Sequence, residues 1–280
     1  MDACRRLEHL EHLVIEAAHG LLSKTSIYAP DFGLEAWLNL DAVIVRENIF
    51  FPNLVAFSTE TRFSAAAKLF CEQHPAIRRL EIRTRDVAAK IGVGLLPNLR
   101  ILRARARILS MLAPAQCITE VILDVHEAGP REMPAQDILA LRGLLNTSET
   151  TRTLRLPTIY FSSALTLSSN LSRLSSPNIT TLEFAWDPWI ASCSGDSVFD
   201  PRVAEALLQW GDLKKLECRY HWIGDVRDAR TTTTLADVQN WGIQNSSILD
   251  VTFSHADVRE VVLFVLHFRR KNMHAEWCQV

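Results

Sequence analysis

Five places in the sequence gather residues of the kind that do chemistry. His9 and His12, flanked by Glu8 and Glu11, offer nitrogen and oxygen donors to a metal, but no HExxH spacing is present and the alternation of charge reads as a solvated face. The segment GLLSKTS from Gly20 sets Lys24 beside Thr25 as a phosphate loop does, without the glycine that must precede the lysine. Gly92 and Gly94 have no third glycine opening a helix. SCSGDS around Ser194 is a loop of small residues with no G-x-S-x-G elbow. His221 and His255, followed by Asp225 and Asp257, make a pair of His–Asp echoes for which no nucleophile can be named. The expectation is a protein without catalytic residues, metal or cofactor, and not an enzyme.

Composition narrows the class. Across 280 residues, 48% apolar and 22% charged with net charge −2, the chain has the make-up of a globular protein and not of a disordered or polyelectrolyte one. Cys4, Cys71, Cys117, Cys193, Cys218 and Cys278 are dispersed with no CxxC spacing, as expected of reduced thiols in the cytoplasm or nucleus. The first twenty residues interrupt every apolar stretch with Glu, His or Arg, so no secretory leader is expected there. Val261 to Leu266, the longest strongly apolar run, is far short of the roughly 20 residues of a spanning helix, and no membrane association is expected.

The positioning elements show as a recurrent phrase: an apolar anchor, a second three residues later and a third two beyond that. It occurs as Ile77, Leu80, Ile82; Leu99, Leu102, Ala104; Ile118, Val121, Leu123; Thr151, Leu154, Leu156; Ile179, Leu182, Phe184; Leu213, Leu216, Cys218; and Ile248, Val251, Phe253. Leu54 and Phe57 with a degenerate third position make an earlier copy. Segments of helical spacing precede most copies, and Pro75, Pro97, Pro177 and Asn178 stand where a helix would stop and a strand begin. Helix then short strand, repeated, describes units that bury their apolar sides only against the next unit. The expected fold class is α/β: an irregular leucine-rich-repeat-like solenoid with a roughly parallel sheet on one face and helices on the other. Residues 1–53 are expected to form a capping helix or degenerate repeat region, and 54–280 the solenoid. LEHLEHLVIEAAHGLL reads as one amphipathic helix or a worn repeat, and DVREVVLFVLHFRRK from Asp257 as a terminal helix closing the stack. An ordinary α/β enzyme, whose helix–strand alternation imitates repeats, is the alternative.

The phrase xxLxxLxLxx, preceded by a helix ending in Pro-Asn or Ser-Asn, resembles the degenerate leucine-rich repeats of fungal F-box-type proteins over roughly residues 54 to 280. The asparagine of regular repeats, three residues after the last anchor, is replaced by Arg85, Arg107, His126, Ile159, Asp187, His221 and Ala256. Nothing in residues 1 to 50 resembles an F-box. The resemblance implies a protein-binding module, the substrate-recognition part of a ubiquitin ligase receptor, with a Skp-type adaptor as partner.

If the anchors point inward, the residues between and just after them form an outward face. From Ile77 onward it holds Arg78, Arg79, Arg83, Arg100, Arg103, Arg105, Arg152, Arg155, Lys214, Lys215 and Arg219 against Glu81, Glu120, Asp124, Glu183, Glu217 and Asp250, a surplus of five positive charges. Trp186 and Tyr220 are expected on the same face. A chain of net negative charge that gathers positive charge on one face suits an acidic or phosphorylated segment of a partner protein. The expected partner-binding residues are Arg78, Arg83, Arg100, Arg103, Arg105, Arg155, Trp186, Lys215, Arg219 and Tyr220. Nucleic acid is not expected, since no RNA-binding module appears.

Overall fold

Each apolar triple named from the sequence falls on a strand, and for five of them a turn just before explains why the strand starts there. The computed structural model describes residues 9–15, 50–59, 63, 65–83, 96–111, 118–124, 133–156, 163–186, 199–221, 235–241, 243, 246–256 and 262–280. The chain divides into two compact units, Met1–Ile118 and Thr119–Val280. It is an α/β protein whose described strands are mostly parallel.

The first unit contains β1 (His12–Ile15), β2 (Ala56–Thr59), α1 (Ala65–Gln73), β3 (Arg79–Ile82), β4 (Ile101–Ala104) and α2 (Ala106–Met111). Its strands pair in parallel in chain order, β1 with β2, β2 with β3 and β3 with β4. The second unit contains β5 (Glu120–Leu123), α3 (Ala135–Thr147), β6 (Thr153–Leu156), α4 (Ala164–Leu174), β7 (Thr181–Trp186), α5 (Pro201–Leu208), β8 (Lys215–His221), α6 (Leu235–Asn240), β9 (Asp250–Ala256), β10 (Val262–Arg269) and β11 (Cys278–Gln279). Here β5 to β9 pair in parallel in chain order, and β10 and β11 add antiparallel strands. Among the described strands of each unit there is no reversal of the order, of the kind that opens a ligand crevice in doubly wound sheets.

The register is the same at each described parallel pairing. Leu13, Phe57, Leu80 and Leu102 are successive cross-strand partners, as are Val121, Leu154, Leu182, Leu216 and Val251. All three anchors of every copy from Leu54 to Phe253 are buried, including Thr59, the degenerate third position of the earliest expected copy. Burying this column supplies most of the drive for stacking, at roughly 25 cal/mol per Å² of apolar surface.

A backbone turn locks five of these registers. The N–H of the first anchor closes onto the carbonyl three residues back in Phe51–Leu54, His74–Ile77, Leu96–Leu99, Ser176–Ile179 and Trp210–Leu213. Pro52, Pro75, Pro97 and Pro177 take the second position of four of these turns, where a fixed φ near −65° is what the turn requires. Asn98 donates its amide to the Pro75 carbonyl at 3.0 Å, and Asn178 to that of Ser148 at 3.4 Å, tying each turn to the preceding one. The carbonyl just after each first anchor then accepts two successive N–H groups of the next strand: Val55 takes Arg78 and Arg79, Arg152 takes Thr180 and Thr181, Lys214 takes Leu249 and Asp250. Both lone pairs of that oxygen are thus used, which fixes the stagger of neighbouring strands.

Connections from helix to following strand span five or six residues for α1, α3, α4 and α5, whereas those from strand to helix range from one to fourteen. The helices cover the sheet with apolar faces: Ile138, Leu141, Leu144 and Leu145 of α3, and Leu167, Leu171 and Leu174 of α4, are buried at helical spacing. Ser163 caps α4 by accepting from the Thr166 N–H, and Asp200 caps α5 ahead of Pro201. Trp210 donates its indole N–H to the Leu171 carbonyl at 3.1 Å, joining the end of α5 to α4.

At the start of the chain the structure favours the worn repeat over the amphipathic helix: His12–Ile15 is a strand in which Leu13 and Ile15 pair with Phe57 and Thr59. The expected terminal helix after Asp257 is, over Val262–Arg269, the antiparallel strand β10. Its apolar run fits either period, and docking decides: Phe268 is buried against Phe253, while His267 and Arg269 reach Asp250 of β9. Among the described residues no helix is long and apolar enough to cross a membrane.

Candidate functional site

Strand alternation puts the second, fourth and sixth residues after each first anchor on the face opposite the buried second and third anchors. On β3 these are Arg79, Glu81 and Arg83; on β4 they are Ile101, Arg103 and Arg105. Arg78 and Arg100, the residues entering these strands, are exposed.

Glu81 is the centre of this cluster. Its residue is only 5% exposed, yet it is ionised in a ring of guanidiniums: Arg79 reaches Oε1 through Nη2 at 2.6 Å and Nε at 2.7 Å, and Arg83 reaches Oε2 at 2.8 and 3.1 Å. Arg103, the cross-strand partner of Glu81, brings Nη1 to 3.9 Å from Oε2. Burial pushes the Glu81 carboxyl up, but the hydrogen bonds from Arg83 and Arg79 outweigh it and hold it below the ordinary carboxylate value.

The second unit arranges the same residue types differently. Arg155 of β6 lies between two acids, 2.7 Å from Glu120 of β5 and 3.1 Å from Glu183 of β7, and Arg219 of β8 takes the other Glu183 oxygen at 2.7 Å. Lys215 is 2.6 Å from Glu217, and Asp250 pairs with His267 at 2.8 Å and Arg269 at 3.1 Å. Burial raises the Glu183 carboxyl; Arg155 and Arg219 oppose this, Glu217 and Glu120 add to it, and the carboxyl ends above the ordinary value.

Assigning the expected face residues to the two units divides the charge unevenly. Arg78, Arg79, Arg83, Arg100, Arg103 and Arg105 stand against Glu81 alone in the first. In the second, Arg152, Arg155, Lys214, Lys215 and Arg219 stand against Glu120, Asp124, Glu183, Glu217 and Asp250, which cancels. The whole surplus of five therefore belongs to β3, β4 and their immediate flanks.

Trp186 and Tyr220 are backbone partners on β7 and β8, two residues past the third anchors Phe184 and Cys218. Their positions have the parity of the anchors and not that of Arg219; their side chains lie outside the described residues. His221 partners Ala256 and His255 partners Tyr220, so the two histidines stand one position apart on neighbouring strands. Glu8, Gly20, Lys24, Gly92, Gly94, Ser194, Asp225 and Asp257 also lie outside the described residues. Cys71 is buried, and burial first, then the nearby Glu72 charge, pushes its thiol up to about 12, so it stays protonated. No disulfide joins the described cysteines Cys71, Cys218 and Cys278.

Two polar side chains that sequence reasoning passes over prove structural. His74 accepts the Phe51 N–H on Nε2 at 2.9 Å and donates from Nδ1 to the Phe70 carbonyl at 2.7 Å, an arrangement only the neutral ring provides. Its position just before Pro75, in the turn that starts a strand, was the available signal. Arg270 is 3% exposed and donates to the carbonyls of Ile248, Ile243, Ser246 and Met273, with its guanidinium 4.8 Å from the Trp277 ring centre. In sequence it is one more residue of a basic chain end.

In comparisons with known proteins, the chain matches no family model and no curated protein is similar to it in sequence.

Proposed function

We propose that the chain is a noncatalytic protein–protein interaction module, an irregular leucine-rich-repeat-like solenoid whose parallel sheet face docks a partner carrying an acidic or phosphorylated segment. The observation that carries this reading is the arginine cluster of β3 and β4: Arg79, Arg83 and Arg103 gather on Glu81, with Arg78 and Arg100 exposed where the strands begin, in a chain of net charge −2. Fold alone needs no such surplus, since the equivalent face of the second unit is neutral with the same strand architecture. The chain-order pairing and the buried anchor columns support the solenoid, and the lack of strand-order reversal within each unit weighs against an α/β enzyme. By its resemblance to fungal F-box-type repeat proteins, the module serves as the substrate-recognition part of a ubiquitin ligase receptor, in the cytoplasm or nucleus.

The test is affinity purification from the native cell with the intact chain, Arg103→Glu and, from the exposed side of α3, Arg142→Glu. Loss of the partner with Arg103→Glu, but not with Arg142→Glu, at unchanged melting temperature is the expected result. Equal loss from both variants overturns the reading. Copurification of a Skp-type adaptor supports the ligase assignment, and its absence from complexes that still hold the partner removes it.

A further inference from the structure

Resting on the docking reading, we propose that the second unit carries a pH-operated anion site: protonation of Glu183 releases the charges of Arg219 and Arg155 on β6 to β8, and an acidic segment of the partner then docks there. The arrangement is a chain of shared ions. Glu120 of β5 holds Arg155 of β6 at 2.7 Å, Arg155 reaches Glu183 of β7 at 3.1 Å, and Arg219 of β8 takes the other Glu183 oxygen at 2.7 Å. Lys215 is committed to Glu217 at 2.6 Å. Three acids thus meet three cations, and the cluster is neutral while every acid is ionised.

Glu183 is the member placed to take a proton. Its side chain is 10% exposed, the least of the six, and Glu217 stands directly opposite it in the parallel register. Neighbouring strands lie about 4.7–4.9 Å apart, so these two carboxylates share a narrow space and repel. Among the described residues, the charged groups around Glu183 are Arg155 from β6 with Glu120 of β5 beyond it, and Lys215, Glu217 and Arg219 from β8; β7 itself adds none. Burial first, then the two acids, outweighs the two arginines, so the carboxyl lies above its ordinary value of 4.5 and neutralises early as pH falls. Arg219 then loses the acid it pairs with, while Arg155 keeps Glu120. Both arginine side chains are about a third exposed and present the resulting charge to solvent. Glu81 of the first unit cannot act in this way, because its arginines hold it below the ordinary value.

Two measurements on the full chain test this. Carboxyl-carbon NMR, with the Glu183 signal assigned by its loss in Glu183→Gln, should give a titration midpoint above 4.5; a midpoint at or below that value overturns the proposal. Fluorescence anisotropy then uses a labelled peptide of cysteic acid and alanine, whose sulfonates stay ionised across the range. At pH 7 Glu183→Gln should bind it about fivefold tighter than the parent chain, and the gap should close as pH falls toward 4.5. Histidine protonation acts on both chains alike. In an Arg219→Gln background the same substitution should change affinity less than about twofold, and Glu205→Gln, on the exposed side of α5, should bind like the parent. Circular dichroism and melting temperature verify that each variant is folded. A gap that persists to pH 4.5, or that survives Arg219→Gln in full, overturns the proposal. Either result, together with partner capture that still depends on Arg103, leaves the docking reading standing, whereas capture indifferent to Arg103 removes both.

Discussion

Glu81 and Glu183 occupy the same place in their copies, four residues after the first anchors Ile77 and Ile179, and both are nearly buried, yet their carboxyls shift in opposite directions. The difference lies in how guanidiniums are shared. Glu81 faces three arginines, two of them bonded side-on, whereas Glu183 divides Arg155 with Glu120 and lies near Glu217. Hydrogen bonds overcome desolvation in the first case and fail to in the second.

Opposite shifts give opposite pH slopes. Glu81 is depressed, so its contribution is present above the ordinary carboxylate value of 4.5 and lost as pH falls through the folded-state value. Glu183 is raised, so its contribution is present below 4.5 and lost as pH rises through the folded-state value. Relative to the parent chain, Glu81→Gln should lose stability as pH rises through the acidic range, and Glu183→Gln should gain. Melting curves recorded from about pH 4 to 7 check this; parallel curves for the two variants contradict the assignment.

Arg103 and Arg155 are equivalent by position but not by environment. Arg155→Glu would place a third carboxylate between Glu120 and Glu183 and should cost about 2–4 kcal/mol, because it leaves largely buried acids uncompensated. Arg103→Glu leaves Arg79 and Arg83 on Glu81 and should cost about 1 kcal/mol or less. Chemical denaturation of both variants decides it, and equal losses count against the network described here.

His74 holds residues 50 and 51 against α1, with Phe50 stacked at 5.2 Å between ring centres. His74→Ala should cost about 2–3 kcal/mol, since the Phe51 N–H and Phe70 carbonyl both lose their partner. Burial lowers the His74 pKa, partly opposed by its bond to Phe70. A base depressed in the fold stabilises above its unfolded value of 6.5, and that contribution is lost as pH falls toward the folded-state value. The parent chain should lose stability just below pH 6.5 more steeply than the alanine variant, as urea titrations at stepped pH would reveal.

Arg270→Lys keeps a cation but not the fork. An ammonium cannot span the carbonyls of Ile248, Ser246 and Met273 together, and the substitution should cost about 2–4 kcal/mol. Faster amide exchange around 246–250 should accompany the loss; unchanged exchange there rules the cradle out as the cause.

The strands were legible because their anchors are few and absolute: Leu54 to Phe253, every triple named from sequence is buried in one register. LEHLVI at the start stayed open between helix and worn repeat because His and Glu between its anchors imitate a helix surface as well as a strand face. VVLFVLHF at the end escaped because a wholly apolar run has no period, and only Phe253 and Asp250 of the neighbouring strand choose for it. At the candidate site, residue types and their face were readable, but pairing was not. Whether an arginine spends its charge on a neighbouring acid, as Arg155 does, depends on cross-strand neighbours that lie 28 to 35 residues away in sequence.

Because the turns and the doubly accepting carbonyls sit on the helix-to-strand side, which is the shorter one around α3, α4 and α5, the alignment of strands there is settled before the longer connections are reached. Length can accumulate on the other side, as in the fourteen residues between β7 and α5, without unseating a strand. Those seams are where a foreign loop could be spliced in while the sheet stays as it is.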